Sequence, residues 1–251
     1  MYKKIAILSI SLLLLTSCNS PKPYGYVRII FEHRWGNSMA YMDETTPYTN
    51  AAGNVLTLHN LEYFISDLTV GNVAMPSAKY GNIHYIRPDS ALSTLFLTHE
   101  IPVGHYNHIA FTFGLDNTKN KSNLFPNSPE KDMFWPDKMG GGYHFMKFDG
   151  KWKNPDEPTN QGFGLHLGTL KKTIEIEGKK IDTLFPNYFH VSLPKNFEVN
   201  AYETTTIYVI VDLKQWMENP YTWDFNVMGG EMMSREQALD SLAQNGRNVF
   251  R

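Results

Sequence analysis

The sequence predicts an all-β protein: an antiparallel β-sandwich, immunoglobulin-like or related, with long loops and one short C-terminal helix. Segments rich in β-branched and aromatic residues recur along the chain, with turn signals roughly every 8–15 residues. Helical periodicity is confined to the C-terminal end, and the chain lacks the strand–helix alternation that produces parallel sheets. The aromatic content of 14% exceeds what we expect of a disordered chain and favours a packed domain.

The first residues predict export and lipidation. Lys3 and Lys4 precede the short apolar run 5–15, as in a secretory signal. The following Leu15-Thr16-Ser17-Cys18 resembles a bacterial lipobox, in which small residues precede the cysteine that carries the lipid. The alternative is an ordinary secretory signal with an incidental cysteine at position 18. The expected division is a signal peptide, a lipidated tether and one domain: residues 1–17, 18–25 and 26–251.

The cysteine count and the charge exclude several classes of function. Cys18 is the only cysteine, so the domain can form neither an internal disulfide nor a thiolate site for zinc, an iron–sulfur cluster or blue copper. Without residues 1–17 the chain has 21 basic against 25 acidic residues, a net charge of −4 that gives no basic surface for nucleic acid. A lipid on Cys18 would tether the domain to a membrane without spanning it. We expect an outer-membrane lipoprotein, on the periplasmic or the cell-surface face.

The predicted strands are apolar or alternating runs between turn residues. The first, 27–35, places an apolar row and His33 on one face. A hairpin is expected from 172–176 and 180–183, with its turn at Glu177-Gly178. The segment that starts at Ser234 resembles a capping box and predicts a helix that ends at Gly246. The other strands are expected at 55–70, 83–87, 109–113, 143–148, 163–167, 188–193 and 204–213. Long loops are expected at 36–53, 115–131 and 150–161.

The candidate site lies on two of these strands. Alternate side chains of a strand share a face, so His144 and Met146 are expected to point the same way. His166 is flanked on its own face by Gly164 and Gly168, which leaves space for a metal ion or for a large packed side chain. Imidazole and thioether ligands in a domain without thiolates favour copper over calcium, magnesium or manganese.

The sequence leaves other readings open. Each histidine could be a hydrogen-bonded core or surface residue, and Trp135 could be core packing. The loop with Asp116, Asn117, Asn120 and Asn123 offers oxygen ligands for calcium, but it lacks an EF-hand pattern. We find no Gly-x-Ser-x-Gly motif, cysteine nucleophile or P-loop, so an enzyme is not expected.

Several segments, in order, resemble the MbnP-like family of copper-binding proteins, which are often lipoproteins in Bacteroidetes. They are Phe31-x-His33, residues 61–67, 104–111 and 133–135, Gly142-Tyr143-His144-Phe145-Met146-Lys147-Phe148-Asp149-Gly150, Phe163-x-x-His166-x-Gly168, and residues 243–250. The resemblance implies a β-sandwich-like domain that holds one copper ion through histidines. In some members a tryptophan is oxidised to kynurenine by a di-haem peroxidase-like partner. His33 and His166 match the most characteristic positions, His144 and Met146 are adjacent candidates, and Trp135 is the tryptophan of the matching motif.

We therefore expect a membrane-anchored lipoprotein, not an enzyme, that holds one copper ion for acquisition, storage or handling. Because its ligands are histidines, binding should weaken below about pH 6. One alternative is a metal-free surface lipoprotein that binds glycans or a partner protein, and another is an oxidase-type enzyme that uses the copper and needs an open coordination position. In a glycan-binding protein, exposed Trp152, Tyr221 and Trp223 would be stacking platforms for sugars.

Overall fold

The computed structural model describes residues 22–77, 79–97, 99–233 and 235–251. The predicted signal segment, the lipidation site Cys18 and the capping residue Ser234 lie outside these ranges. The strands are β1 (Tyr24–Trp35), β2 (Ser38–Met39), β3 (Tyr48–Thr49), β4 (Val55–Val70), β5 (Val73–Ala74), β6 (Ile83–Ile86), β7 (Leu95–Leu97), β8 (Ile101–Pro102), β9 (Gly104–Phe113), β10 (Met146–Trp152), β11 (Gln161–Leu167), β12 (Leu170–Ile176), β13 (Lys179–Phe185), β14 (Phe189–Val199) and β15 (Thr204–Asp212). The helices are α1 (Ala91–Thr94), α2 (Phe225–Met228) and α3 (Glu236–Gly246), with short 3-10 turns at Glu130–Met133, Asp137–Met139 and Leu213–Met217.

Two sheets form the predicted sandwich. A five-stranded sheet is built on β1, which pairs with β15, β2, β7 and β8. An eight-stranded sheet has the order β11-β10-β4-β9-β14, and β3, β5 and β6 add to β4. All pairs are antiparallel except β1 with β15, which run parallel; parallel neighbours require a long connection, and these strands stand near opposite ends of the chain. The predicted hairpin is present as β12–β13.

The inner face of β1 agrees with the alternation of its sequence. Val27, Ile29, Phe31, His33 and Trp35 are all buried. They pack against the eight-stranded sheet, where Phe31 and Phe111 meet with ring centroids 5.5 Å apart. His33 thus belongs to the hydrophobic interior between the two sheets.

The segment before β10 differs from the predicted strand 143–148. Strand β10 begins at Met146, and residues 143–145 instead run beside residues 133–135. Two backbone hydrogen bonds hold them there: Trp135 N–H donates to the Gly142 carbonyl at 2.9 Å, and His144 N–H donates to the Met133 carbonyl. Three glycines at positive φ, residues 140–142, bend the chain into this path.

The expected loop 150–161 is shorter than its composition suggests. β10 continues to Trp152 and β11 starts at Gln161, so the two strands form a hairpin around residues 153–160. This hairpin brings residues on either side of the turn into register, which positions the candidate site.

Two of the three aromatic residues proposed as sugar platforms, both tryptophans, are buried. Trp152 is 6% exposed and Trp223 1%. Trp152 stacks on Phe225 with ring centroids 5.3 Å apart. A buried tryptophan has no free face for a sugar, so the glycan-binding alternative loses both tryptophans and keeps only the half-exposed Tyr221.

The C-terminal helix α3 packs on the sandwich. Ala238, Leu239 and Leu242 are buried on one face, as the predicted apolar stripe requires. At its last residue, a Cβ on Gly246 would stand 2.5 Å from the Trp216 ring, so only glycine permits this approach. No helix in the described ranges combines the length and the apolar character needed to cross a membrane.

Candidate metal centre

His144 and His166 meet on the outer side of the eight-stranded sheet. Their ring centroids lie 5.1 Å apart and the ring planes are inclined by 83°. His166 is on β11, whereas His144 belongs to the segment that leads into β10. The hydrogen bond from Phe145 N–H to the Leu167 carbonyl, 2.6 Å, fixes these two segments beside each other.

One nitrogen of His144 is held by the backbone and the other is free. Nδ1 lies 3.0 Å from the Met133 carbonyl oxygen, and because a carbonyl can only accept, Nδ1 carries the proton. Nε2 therefore presents a lone pair; it is buried and finds no hydrogen-bond partner among the described residues. Burial, with a smaller contribution from His166, lowers the pKa of His144 to about 3, so the ring is neutral at physiological pH.

His166 shows the same division of roles. Its Nε2 lies 2.7 Å from Asp149 Oδ1, and Asn60 Nδ2 donates to the other carboxylate oxygen at 3.2 Å. Burial raises the pKa of Asp149, but the hydrogen bonds from His166 and Asn60 outweigh it, and the pKa of Asp149 falls below its ordinary value. In the neutral form of His166 the proton on Nε2 is donated to this carboxylate, and Nδ1 then has a lone pair. That atom is also buried without a partner in the described part of the chain.

These two imidazoles have the hydrogen-bonding pattern of metal-binding histidines. Metal-binding histidines characteristically donate one ring N–H to a carbonyl or carboxylate, which fixes the tautomer and turns the other nitrogen to the metal. With metal–nitrogen bonds of about 2.0 Å, two ligating rings have centroids at most about 6 Å apart, a limit that the observed pair meets. Without an ion, each unpaired buried nitrogen costs about 1–3 kcal/mol. No group of three histidine, aspartate, glutamate or cysteine side chains suited to an ion occurs among the described residues, so the pair supplies two ligands only.

Trp135 completes the immediate surroundings of the pair. Its ring meets that of His144 edge to face, with centroids 4.7 Å apart. It is fully buried, and its Nε1 donates to the Met139 carbonyl at 3.2 Å. A Cβ on Gly168 would lie 2.6 Å from the Trp135 ring. The space predicted beside His166 is therefore filled by a large side chain on its Gly168 side.

The other two predicted ligands lie on the far side of the sheet. Met146 pairs with Tyr63, whereas the next residue, Lys147, pairs with His166. Adjacent residues of a strand face opposite sides, so Met146 and Tyr63 point into the core and His166 points out of it. His33 Nε2 lies 3.0 Å from Tyr63 Oη and is therefore also inside. One ion cannot bridge the two sides, so the four predicted ligands do not form one site.

The supporting residues of the site were not identified from the sequence. Asp149 and Asn60 act through His166. Asn120, considered above as a calcium ligand, instead accepts from Tyr143 N–H at 2.9 Å and donates to Thr169 Oγ1, which positions the chain before His144. The signal that could have found Asp149 is the hairpin: once its register is known, Asp149 stands beside His166.

Comparisons with known proteins agree with this fold. The family model for MbnP matches residues 24–234. The solved structure of MbnP from Methylosinus trichosporium is similar with a TM-score of 0.53 and 15% sequence identity, over 81% of this chain and 80% of that chain. A search of curated proteins finds no match. The family match covers most of the chain, and the chain belongs to the MbnP family.

Proposed function

We propose that this protein binds one copper ion through His144 Nε2 and His166 Nδ1, for copper acquisition, storage or handling rather than catalysis. One observation carries the proposal: two neighbouring imidazoles each have their outer nitrogen hydrogen-bonded and their inner nitrogen buried without a partner in the described chain. Copper, when bound, would accept these two lone pairs. His33 is not part of the proposed site, because it lies on the other side of the sheet.

Imidazole nitrogens alone accept zinc, copper, iron or nickel, so the choice of copper needs a further reason. The chain belongs to the MbnP family, its sequence resembles copper-binding proteins in the segments described above, and Trp135 lies against His144. A closed structural zinc site has four protein ligands. Among the described residues, no third histidine, cysteine, aspartate or glutamate joins the pair to form such a site.

A metal titration tests the proposal. The chain from residue 19 onward, which contains every described strand and helix, would be titrated with Cu(I), Cu(II) and Zn(II) beside its His144→Gln and His166→Gln variants. We expect one tight equivalent of copper in the parent and its loss in both variants. His84→Gln is the matched control, because His84, on β6, is also buried and bonds a carbonyl, that of Met75. Unchanged copper binding in the His144 and His166 variants, or none in the parent, would refute the proposal.

We further propose Trp135 as the residue that a di-haem peroxidase-like partner oxidises, since its ring contacts a copper ligand. Peptide mass analysis of protein from its native host tests this. The peptide that contains Trp135 should have the mass of the kynurenine form, which gains one oxygen and loses one carbon relative to tryptophan, whereas the peptide with buried Trp216 should have its unmodified mass. An unmodified Trp135 peptide would contradict the assignment.

The membrane anchor is a separate proposal. We propose that Cys18 carries the lipid and that the lipoprotein resides at the outer membrane. Labelling with a radioactive fatty acid, followed by fractionation, should show a labelled protein in the membrane fraction. A Cys18→Ala variant should lose the label, and a label that survives the substitution would contradict the proposal.

A further inference from the structure

A cavity of about 820 Å³ adjoins the histidine pair, and methionines are among the residues that line it. His166 and Asp149 line this cavity, whereas His144 does not. The His166 side chain is partly exposed, whereas His144 is buried, so solvent reaches the pair from the side of His166. The cavity thus opens to the pair on the His166 side.

Methionines from separate segments line this cavity. Met139, Met232 and Met233 all border the cavity, in a chain that has 11 methionines among 251 residues. Met139 and Met233 are half-buried, and Met232 is 1% exposed. The first comes from the turn after Trp135 and the other two from the segment before α3, so separate parts of the chain bring thioethers to one space.

The backbone fixes both groups of thioethers against the site. The Met139 carbonyl accepts the hydrogen bond from Trp135 Nε1. The segment that carries Met232 and Met233 is attached to β11 two residues before His166: Gly164 N–H donates to the Gly230 carbonyl at 2.9 Å. A Cβ on Gly230 would stand 2.1 Å from a β11 carbonyl oxygen, so the close approach of this segment depends on glycine.

We infer that Met139, Met232 and Met233 form a soft-metal site for Cu(I), through which the ion passes to the histidine pair. This inference deepens the proposed copper function and rests on it. Thioether sulfur favours Cu(I) and binds hard cations poorly. The charged residues that line the cavity do not concentrate one sign: Lys138 and Lys171 stand with Asp149, Glu231 and Glu236. The preference of this site for Cu(I) over divalent cations would therefore come from the thioethers and not from the charge of the lining residues.

Nuclear magnetic resonance of methionine methyl groups tests the inference with Ag(I), a probe that matches Cu(I) in charge and softness. The protein, labelled with ¹³C at the methionine methyls and first loaded with one equivalent of Cu(I) to fill the histidine pair, would receive Ag(I) in steps below one further equivalent. We expect the Met139, Met232 and Met233 methyl signals to shift first. Met39, 45% exposed on β2, is the control for adventitious binding, and the core residue Met146 should not respond. If the three cavity methyls do not shift, or shift no earlier than Met39, the inference is wrong.

Two variants separate this site from the histidine pair. Met139→Leu with Met233→Leu keeps apolar volume and removes two sulfur atoms. It should abolish the early shift of the Met232 methyl while copper binding at the histidines persists. His144→Gln with His166→Gln should abolish tight copper binding but leave the early methionine shifts when Ag(I) is added without prior Cu(I). If the parent binds no copper, the proposed function is wrong. If the Met232 methyl shifts in the methionine variant as it does in the parent, only the methionine site is wrong.

Discussion

The burial of His33 makes a quantitative prediction about acid stability. His33 lies between the sheets with 4% exposure, and burial lowers its pKa from 6.5 to about 3. Between these values the unfolded chain binds a proton that the folded protein does not. The stability contributed by neutral His33 is therefore complete above pH 6.5 and is lost as the pH falls toward 3. At pH 5 the loss is about 2 kcal/mol, from 1.5 pH units at about 1.4 kcal/mol each.

The perturbation is a pair of substitutions, because His33 Nε2 and Tyr63 Oη are hydrogen-bonded. His33→Phe alone leaves a buried hydroxyl unpaired and should cost about 1–3 kcal/mol at pH 7.5. His33→Phe with Tyr63→Phe removes both polar groups and should recover most of that loss. Urea unfolding at pH 7.5 and pH 5 gives the free energies of unfolding. The double variant should lose about 2 kcal/mol less than the parent between the two pH values.

Other buried histidines, such as His84, titrate in both proteins, so they cancel in this comparison. An equal loss of stability in the parent and the double variant would show that His33 does not stay neutral in the core. The double variant should also bind copper as the parent does, because His33 lies behind the sheet. A double variant that folds but cannot bind copper would place His33 at the metal after all.

Two further predictions concern the contacts around the pair. Gly168→Ala places a Cβ 2.6 Å from the Trp135 ring and should lower the urea-unfolding free energy by about 1–3 kcal/mol, whereas Gly162→Ala on the same hairpin meets nothing within 4 Å and should have little effect. Equal stabilities of the two variants would contradict the packing. Asp149→Asn keeps its size but weakens the hold on His166, so copper affinity in a competition titration should fall by about 10–100-fold. An unchanged affinity would mean that the carboxylate does not orient the ligand.

Local pattern was sufficient to predict much of the sandwich. The alternation in β1 predicted both its inner face and the position of His33 on it. The apolar run at 55–70 became β4, the central strand of the larger sheet, and the stripe before Gly246 became α3. In each case the buried face is determined by residues close together in the chain, so the sequence contains the necessary information.

The site itself depends on long-range pairing, which local pattern does not contain. His144 and Met146 are two apart, yet they do not share a face, because the chain before β10 follows the Met133 carbonyl rather than a strand. His166 and Asp149 come together only when the hairpin register is fixed. Both histidines of the pair were predicted from the sequence as ligands, but the sequence did not show that His33 lies on the opposite side of the sheet.

The most direct measurement is anomalous diffraction at the copper absorption edge from crystals of the copper-loaded protein. We expect one strong peak within bonding distance of His144 Nε2 and His166 Nδ1, next to the Trp135 ring. A peak beside His33 and Met146 in the interior, or copper found only at surface residues, would contradict the assignment of the metal to the outer histidine pair.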